Sequence, residues 1–312
     1  MNRRMFRLFP LLGLLLALAL LAGCTAVQAN KFTAFKDAAA AVTTQSQAAY
    51  DEVQALWMTL GAECLAVPMA ADDYIKSIKF MPTASPCGES VGKSPKANMD
   101  VRMKALKAMS SYAAAVNMLA TTDYVGGFDA SLAKLDTSLT SLGNALADEQ
   151  GLDLKTPANA EKAKSAISKT VSFLGKAYLE KERKKLLRDV LKEAQDSLDA
   201  MSVVFADDNM SISNLERVFG EKYLKIRATM RAEKDHDKLL AYDAKVIAEY
   251  NRVSEVRKVL DAQSEAVKAM PDANRALLES LDKDDPGIMK NIEKFIATAQ
   301  EVRDIVQAWQ KL

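Results

Sequence analysis

The side chains best suited to chemistry are concentrated in one charged stretch, residues 231–238. This stretch holds the only histidine of the chain, His236, together with Glu233, Asp235 and Asp237. A zinc site needs several such ligands directed at one centre, whereas neighbouring positions on a helix point in diverging directions. The sequence also lacks the second histidine of a di-iron helical bundle. We therefore predict no metal site, and we expect His236 to be solvated or ion-paired.

The phosphate loop G-x-x-x-x-G-K-[ST] is missing from the sequence. A G-x-S-x-G pattern occurs at residues 88–92, but it lies in a proline- and glycine-rich stretch, whereas a nucleophile elbow joins a strand to a helix. The glycine pair Gly126-Gly127 indicates a break between helices. The 42 basic and 41 acidic residues are interspersed, so no basic surface for nucleic acid is expected. The sequence thus predicts a protein that is not an enzyme, with no cofactor and no nucleic-acid partner.

Cys24 ends an apolar segment that follows a basic start. Three arginines lie within the first seven residues, an apolar run covers residues 8–21, and the segment closes with Leu-Ala-Gly-Cys. This arrangement resembles the signal peptide of bacterial lipoproteins. The resemblance implies that residues 1–23 are removed and that Cys24 carries acyl chains, palmitate among them, which hold the protein on a membrane of the cell envelope, facing the periplasm.

The alternative for the apolar run is a signal anchor that stays in the membrane. The run of about 15 residues is shorter than the ~20 needed to span a bilayer, which favours cleavage. Several acyl chains would make the anchoring stable. Within the lipoprotein resemblance, Thr25 in place of aspartate favours the outer membrane if the source is Gram-negative. Residues 24–31 are then expected to form a tether between the lipid and the fold.

Cys64 and Cys87 form an even pair in a compartment expected to be oxidising. Between them lies part of a proline- and glycine-rich loop, residues 82–95. A disulfide closing this loop would stabilise the fold by roughly 3 kcal/mol in the chain-entropy model. The alternatives are two free thiols or a metal pair, for which no further ligands occur at metal spacing. The spacing and the compartment favour the disulfide.

Apolar residues recur at steps of three and four over most of the mature chain, the pattern of helices that pack in a bundle. Ser94-Pro95 and Asp285-Pro286 mark helix starts. No segment alternates with period two long enough to predict a sheet. We therefore predict an all-α, elongated helical bundle. It consists of N-terminal helices in residues 32–156 and a long hairpin plus a C-terminal helix in residues 157–312, packed as one domain.

Residues 158–270 contain no proline and read as an antiparallel, coiled-coil-like hairpin. We place its turn at Asp207-Asp208-Asn209 and the end of its second arm at Met270-Pro271. The seam of the second arm is predicted to bury Leu240, Ala244, Ile247 and Tyr250, and then Val253, Val256, Leu260 and Val267.

This turn would bring two charged segments side by side. Lys181, Arg183 and Lys184 would face Glu233, Asp235 and Asp237 across the hairpin. These charges then either fix the register of the two arms or contact a partner. Alternatively, the two segments are simply solvated, since exposed ion pairs contribute only ~0 to 1 kcal/mol.

Anchor, hairpin and missing catalytic groups together predict an envelope lipoprotein that serves as a protein-interaction or scaffolding module. Its expected partners are the membrane, through acylated Cys24, and another protein. The alternative is a periplasmic helical-bundle module that binds or senses a small apolar ligand.

Overall fold

The computed structural model describes residues 8–65, 95–121, 124–147, 165, 183–213, 219–221, 223–224, 227–228, 236–283 and 286–310. Of these residues 97% are helical and none lies in a strand, which confirms the all-α class. The main helices in this part of the chain are α1 (Leu8–Leu65), α2 (Pro95–Ala120), α3 (Tyr124–Ala147), α4 (Arg183–Ser213), α5 (His236–Ser280) and α6 (Pro286–Trp309).

Two of the predicted helix starts are confirmed. Both α2 and α6 begin at a proline, where the missing N–H costs nothing because the first turn has no acceptor for it. The break predicted at Gly126-Gly127 is wrong, because α3 already begins at Tyr124. A glycine inside a helix costs only about 1 kcal/mol, and the leucines that α3 buries offset that cost.

Four helices form a closed ring around the core. Contacts join α1 to α2, α2 to α4, α4 to α5 and α5 back to α1, while α6 packs on α1 and α5, and α3 packs on α2. Thr33 donates a hydrogen bond to Asn117 (3.0 Å), and Thr43 donates one to the carbonyl of Leu106 (3.1 Å). These two contacts show that α1 and α2 run antiparallel.

Much of the core comes from residues of the predicted seams. Phe35 of α1 meets Phe295 of α6 with 5.3 Å between the ring centroids, and both rings are buried. Full burial of such a side chain stabilises the fold by about 1.5–3 kcal/mol. The other seam residues found buried include Val42, Val53, Leu106, Val116, Leu139, Leu191, Leu198, Val256, Leu260, Ile292 and Val302.

Helices α4 and α5 run antiparallel in a register that differs from the predicted one. Arg188 pairs with Asp282, and Arg227 pairs with Asp243. Both pairs are centred on position 235. The turn predicted at residues 207–209 is therefore wrong, since α4 continues through those residues to Ser213. Asp and Asn are frequent in turns, but in a helix each costs less than about 1 kcal/mol relative to alanine. The coiled-coil geometry of the pair stays a prediction.

Pro271 does not end α5, contrary to the sequence-based prediction. The helix runs to Ser280 with Pro271 in its interior, although a proline there costs ~3 kcal/mol or more. Pro271 is buried against neighbouring helices, and its carbonyl accepts a hydrogen bond from Nε2 of Gln195 on α4 (3.3 Å). Tertiary packing on both sides of the proline therefore offsets the lost helical hydrogen bond.

A hydrogen-bonded polar group joins three helices inside the ring. The hydroxyl of Tyr112 on α2 donates to Oδ1 of Asn274 on α5 (2.5 Å). Nδ2 of Asn274 donates to the carbonyl of Leu191 (2.9 Å) and to Oε1 of Gln195 (2.9 Å), both on α4. Burial raises the pKa of the Tyr112 phenol, which therefore stays protonated as a donor.

This polar group continues to the surface between α4 and α5. Gln195 donates from Nε2 to Asp199 (3.0 Å), and Nη1 of Arg275 donates to both carboxylate oxygens of Asp199 (3.0 Å each). A second ion pair joins Arg275 to Asp272. The chain of contacts fixes α4 against α5 in one register, because a shift of one residue would leave the buried Asn274 without partners.

Candidate functional site

The most unusual surface of the described structure lies on the first half of α5 and on the residues that pack beside it, Phe219, Tyr223 and Arg227. Arg227 forms a two-pronged ion pair with Asp243, with Nε and Nη2 at 2.6 and 2.7 Å from the two carboxylate oxygens. The hydrogen bonds from Arg227 lower the pKa of Asp243, and those to Asp243 raise the pKa of Arg227. Both groups are therefore charged at neutral pH, and their two-point contact aligns the two segments.

Three aromatic rings fill the space between these segments. Phe219 and Tyr223 lie 6.2 Å apart, and Tyr223 meets Tyr242 of α5 edge-on at 6.4 Å. All three are buried. Each such aromatic pair contributes about 0.5–1.5 kcal/mol beyond the area it buries. The rings therefore pack Phe219 and Tyr223 against α5.

The predicted seam of this half of α5 faces outward. Leu240, Ile247 and Tyr250 are 53%, 62% and 47% exposed, and Ala244 is also exposed. These four residues, spaced by four, three and three positions, form what we call the apolar stripe. Burial of its members was wrongly predicted, whereas Val253, Val256, Leu260 and Val267 are buried as expected.

The side of α5 that packs inward in this half of the helix carries Tyr242, Val246, Glu249 and Val253. The first three lie two positions after Leu240, Ala244 and Ile247. The sequence hides this seam because Glu249 occupies a position where an apolar residue is expected. Arg252 compensates for the burial of this carboxylate, which is only 8% exposed. Its Nη1 donates to both oxygens of Glu249 (3.1 and 3.0 Å), and its Nε donates to Glu52 of α1 (2.8 Å). A neutralised carboxylate is tolerated in a seam where an isolated one is not.

The charged residues predicted to face one another are separated by the observed register. Arg183 and Lys184 begin α4, close to the C-terminal end of α5, and Asp237 lies exposed in the first turn of α5. The 45 residues of α5 span about 67 Å at 1.5 Å per residue. Lys181, Glu233 and Asp235 lie outside the described residues, so a role of these charges in partner contact stays a prediction.

The cysteines predicted to be functional are placed only in part. Cys24 lies within α1, which runs without interruption from Leu8 through the segment predicted as a tether. Cys64 lies near the C-terminal end of α1, and Cys87 lies outside the described residues. No disulfide is seen in the part of the chain that the structure describes. Acylation of Cys24 and the Cys64–Cys87 bridge both stay predictions.

The side chains of the apolar stripe offer mainly apolar contact, with the hydroxyl of Tyr250 as their one polar group. Within the described ranges, no three His, Cys, Asp or Glu side chains are grouped so that they could hold a metal ion. His236 is exposed at the start of α5. None of the described helices has an apolar stretch long enough to cross a membrane.

The chain was compared with protein families, with curated proteins and with solved structures, and no match was found in any of the three.

Proposed function

We propose that this protein is a lipid-anchored protein of the bacterial envelope, attached through Cys24, that binds another protein without catalysing a reaction. The anchor is supported by the lipoprotein signal that residues 1–24 resemble. The binding role is supported by one observation above all. The apolar stripe leaves three large apolar side chains exposed on a helix whose opposite face is firmly packed.

The orientation of α1 and α5 supports this division between an anchored end and a binding end. Tyr50 of α1 contacts Gln263 of α5, and Glu52 contacts Arg252. The numbering therefore rises along α1 while it falls along α5, and the two helices run antiparallel. The apolar stripe lies at the end of the bundle remote from Cys24. Counting 1.5 Å per residue along both helices through these two contacts separates Ile247 from Cys24 by about 50–63 Å.

The spacing of the stripe favours a helix as the partner element. Apolar side chains at steps of three and four fit the apolar face of an amphipathic helix laid alongside. Exposed apolar groups that share one face are typical of protein-interaction surfaces. The rigid aromatic contacts beneath the stripe keep it in place, so little ordering entropy would be lost on binding.

Affinity purification of the full chain from mildly crosslinked envelopes tests the proposal. We expect one discrete protein to copurify with the wild type and to be lost with Ile247→Asp, which places a charge in the stripe. Ala248→Asp is the matched control, because it adds the same charge to an exposed position one residue further along α5. Equal recovery with both variants, or recovery of the chain alone, would contradict the proposed binding surface.

The anchor needs a separate test. Metabolic labelling with a palmitate analogue should mark the wild-type chain and leave Cys24→Ser unmarked. If Cys24→Ser still carried label, the assignment of the acylated residue would be wrong. Mass spectrometry of the protein purified from membranes tests the proposed Cys64–Cys87 disulfide, because the peptides that contain the two cysteines should be linked without reductant and separate with it. Fractionation of a Gram-negative source would test the outer-membrane location that Thr25 favours.

A further inference from the structure

An open groove lies where α1, α2 and α3 meet. Its volume is about 480 Å³, within the range of about 300–1,000 Å³ typical of small-molecule sites. Two lysines, Lys107 of α2 and Lys134 of α3, line it together with five hydroxyl-bearing residues. The residues that form its wall include no aspartate and no glutamate.

The same short pattern, Lys-x-x-[Ser/Thr]-Ser, supplies the groove from both helices. On α2 it begins at Lys107 and ends at Ser111, and on α3 it begins at Lys134 and ends at Ser138. Lysine and serine share a helix face because four residues separate them. The two patterns meet at their ends, where the hydroxyls of Ser111 and Ser138 are 3.1 Å apart. The hydroxyl pair is thus flanked by a lysine of each helix.

The groove therefore has unused capacity to bind an anion. Within the described part of the chain, neither Lys107 nor Lys134 has an ion pair or a hydrogen bond. Only one hydroxyl of the Ser111–Ser138 pair can donate to the other, so the second proton is free for a ligand. Two flexible ammonium groups and a hydroxyl donor match the several acceptor oxygens of a phosphate group.

We infer that this groove binds the phosphate group of a small, soluble phosphorylated molecule. The groove is larger than a phosphate ion needs, so the remainder of the ligand occupies the space beside the serine pair. Thr43, which lines the groove on α1, is 19 residues from Cys24, or about 28 Å along the helix. If Cys24 is the anchor, the phosphates of the membrane in which it sits lie out of reach, which favours a soluble ligand.

Titration of the full chain in a non-ionic detergent with glucose 6-phosphate, inorganic phosphate and glucose tests this inference. Calorimetry should detect binding of glucose 6-phosphate and of inorganic phosphate, and no binding of glucose. Lys107→Gln/Lys134→Gln should weaken the binding of glucose 6-phosphate at least tenfold. The control Lys290→Gln/Lys294→Gln removes the same charge from exposed positions on α6 and should leave the affinity within twofold.

A second variant shows whether binding depends on the groove itself, because it blocks the groove without a change of charge or of stability. Ala133 lines the groove and is exposed, so Ala133→Leu narrows the groove without a change of charge and should also abolish binding while the melting temperature stays unchanged. The inference is overturned if neither phosphate binds, or if the α6 control loses affinity as much as the groove variant. Competition by phosphatidylglycerol added to the micelles would overturn the assignment to a soluble ligand.

Discussion

The hydrogen bond between Tyr112 and Asn274 gives the sharpest test of how the ring of four helices is held together. Tyr112→Phe removes one oxygen atom and leaves Oδ1 of Asn274 without its 2.5 Å donor. Asn274 is fully buried, so water cannot replace the lost hydroxyl. An unsatisfied buried acceptor costs about 1–3 kcal/mol, and we expect Tyr112→Phe to lower the free energy of unfolding by about 2 kcal/mol.

Asn274→Ala should cost more, because it removes three hydrogen bonds at once. Without the Asn274 side chain, the hydroxyl of Tyr112, the carbonyl of Leu191 and Oε1 of Gln195 each lose a hydrogen bond. The double variant Tyr112→Phe/Asn274→Ala removes both partners of the central hydrogen bond. Its destabilisation should therefore fall short of the sum of the single variants by at least about 1 kcal/mol, as expected for residues in direct contact.

Urea unfolding of the full chain, followed by circular dichroism, measures these differences. Tyr250→Phe is the matched control, because Tyr250 is exposed and loss of its hydroxyl should change stability by less than about 0.5 kcal/mol. A change in stability no larger for Tyr112→Phe than for the control, or additive effects of the Tyr112 and Asn274 variants, would contradict the hydrogen bond between these two residues.

Alkaline unfolding provides an independent readout of the same phenol. Burial raises the pKa of Tyr112, whereas the phenol of an unfolded chain titrates near ~10. Its contribution to stability is therefore complete below about pH 10 and declines as the pH rises above that value, because only the unfolded chain then releases the proton. Tyr112→Phe should unfold with a shallower dependence on pH in that range. An unchanged dependence would show that Tyr112 is not buried as described.

Two further predictions concern the pairing of α4 with α5. Cysteines at Arg188 and Asp282 should be joined within one molecule by a short bifunctional maleimide, whereas cysteines at Lys184 and Asp237 should not; the reverse pattern would support a turn near residue 208. The pKa of Asp243 is lowered by its arginine partner, so the stability from this pair is present above the ordinary aspartate pKa of ~3.9 and is lost as the pH falls through the lower folded value. Asp243→Asn should therefore reduce the acid sensitivity of unfolding, and an unchanged acid transition would contradict the pairing.

Helix periodicity and prolines were sufficient to predict much of this fold. The seams of α1, α2 and α6 have apolar residues at nearly every inward position, so the pattern indicates the buried face without tertiary information. The starts of α2 and α6 at Pro95 and Pro286 follow from local backbone chemistry alone. These features depend on neighbours in the sequence, which is why the sequence predicts them.

The register of α4 and α5 depends instead on contacts distant in the sequence. Asp207-Asp208-Asn209 is typical of a turn, yet α4 runs through these residues to Ser213. Glu249 lies in the true seam of α5 because Arg252 neutralises it, and the pattern of apolar residues alone favours the wrong face. The apolar stripe could have been suspected only as a second apolar face on the same helix. The groove could have been suspected only from the repeated Lys-x-x-[Ser/Thr]-Ser pattern.

The most direct test of the proposed function is a photo-crosslinking scan along α5 of the full chain in its own envelope. A photoreactive residue is placed in turn on the stripe and one position further along the exposed surface. The stripe positions are Leu240, Ala244 and Ile247, and the matched positions are Ala241, Lys245 and Ala248. We predict that the stripe positions crosslink to one protein partner and that the matched positions do not. Equal crosslinking at the stripe and matched positions, or no crosslinking at any position, would contradict the proposed binding surface.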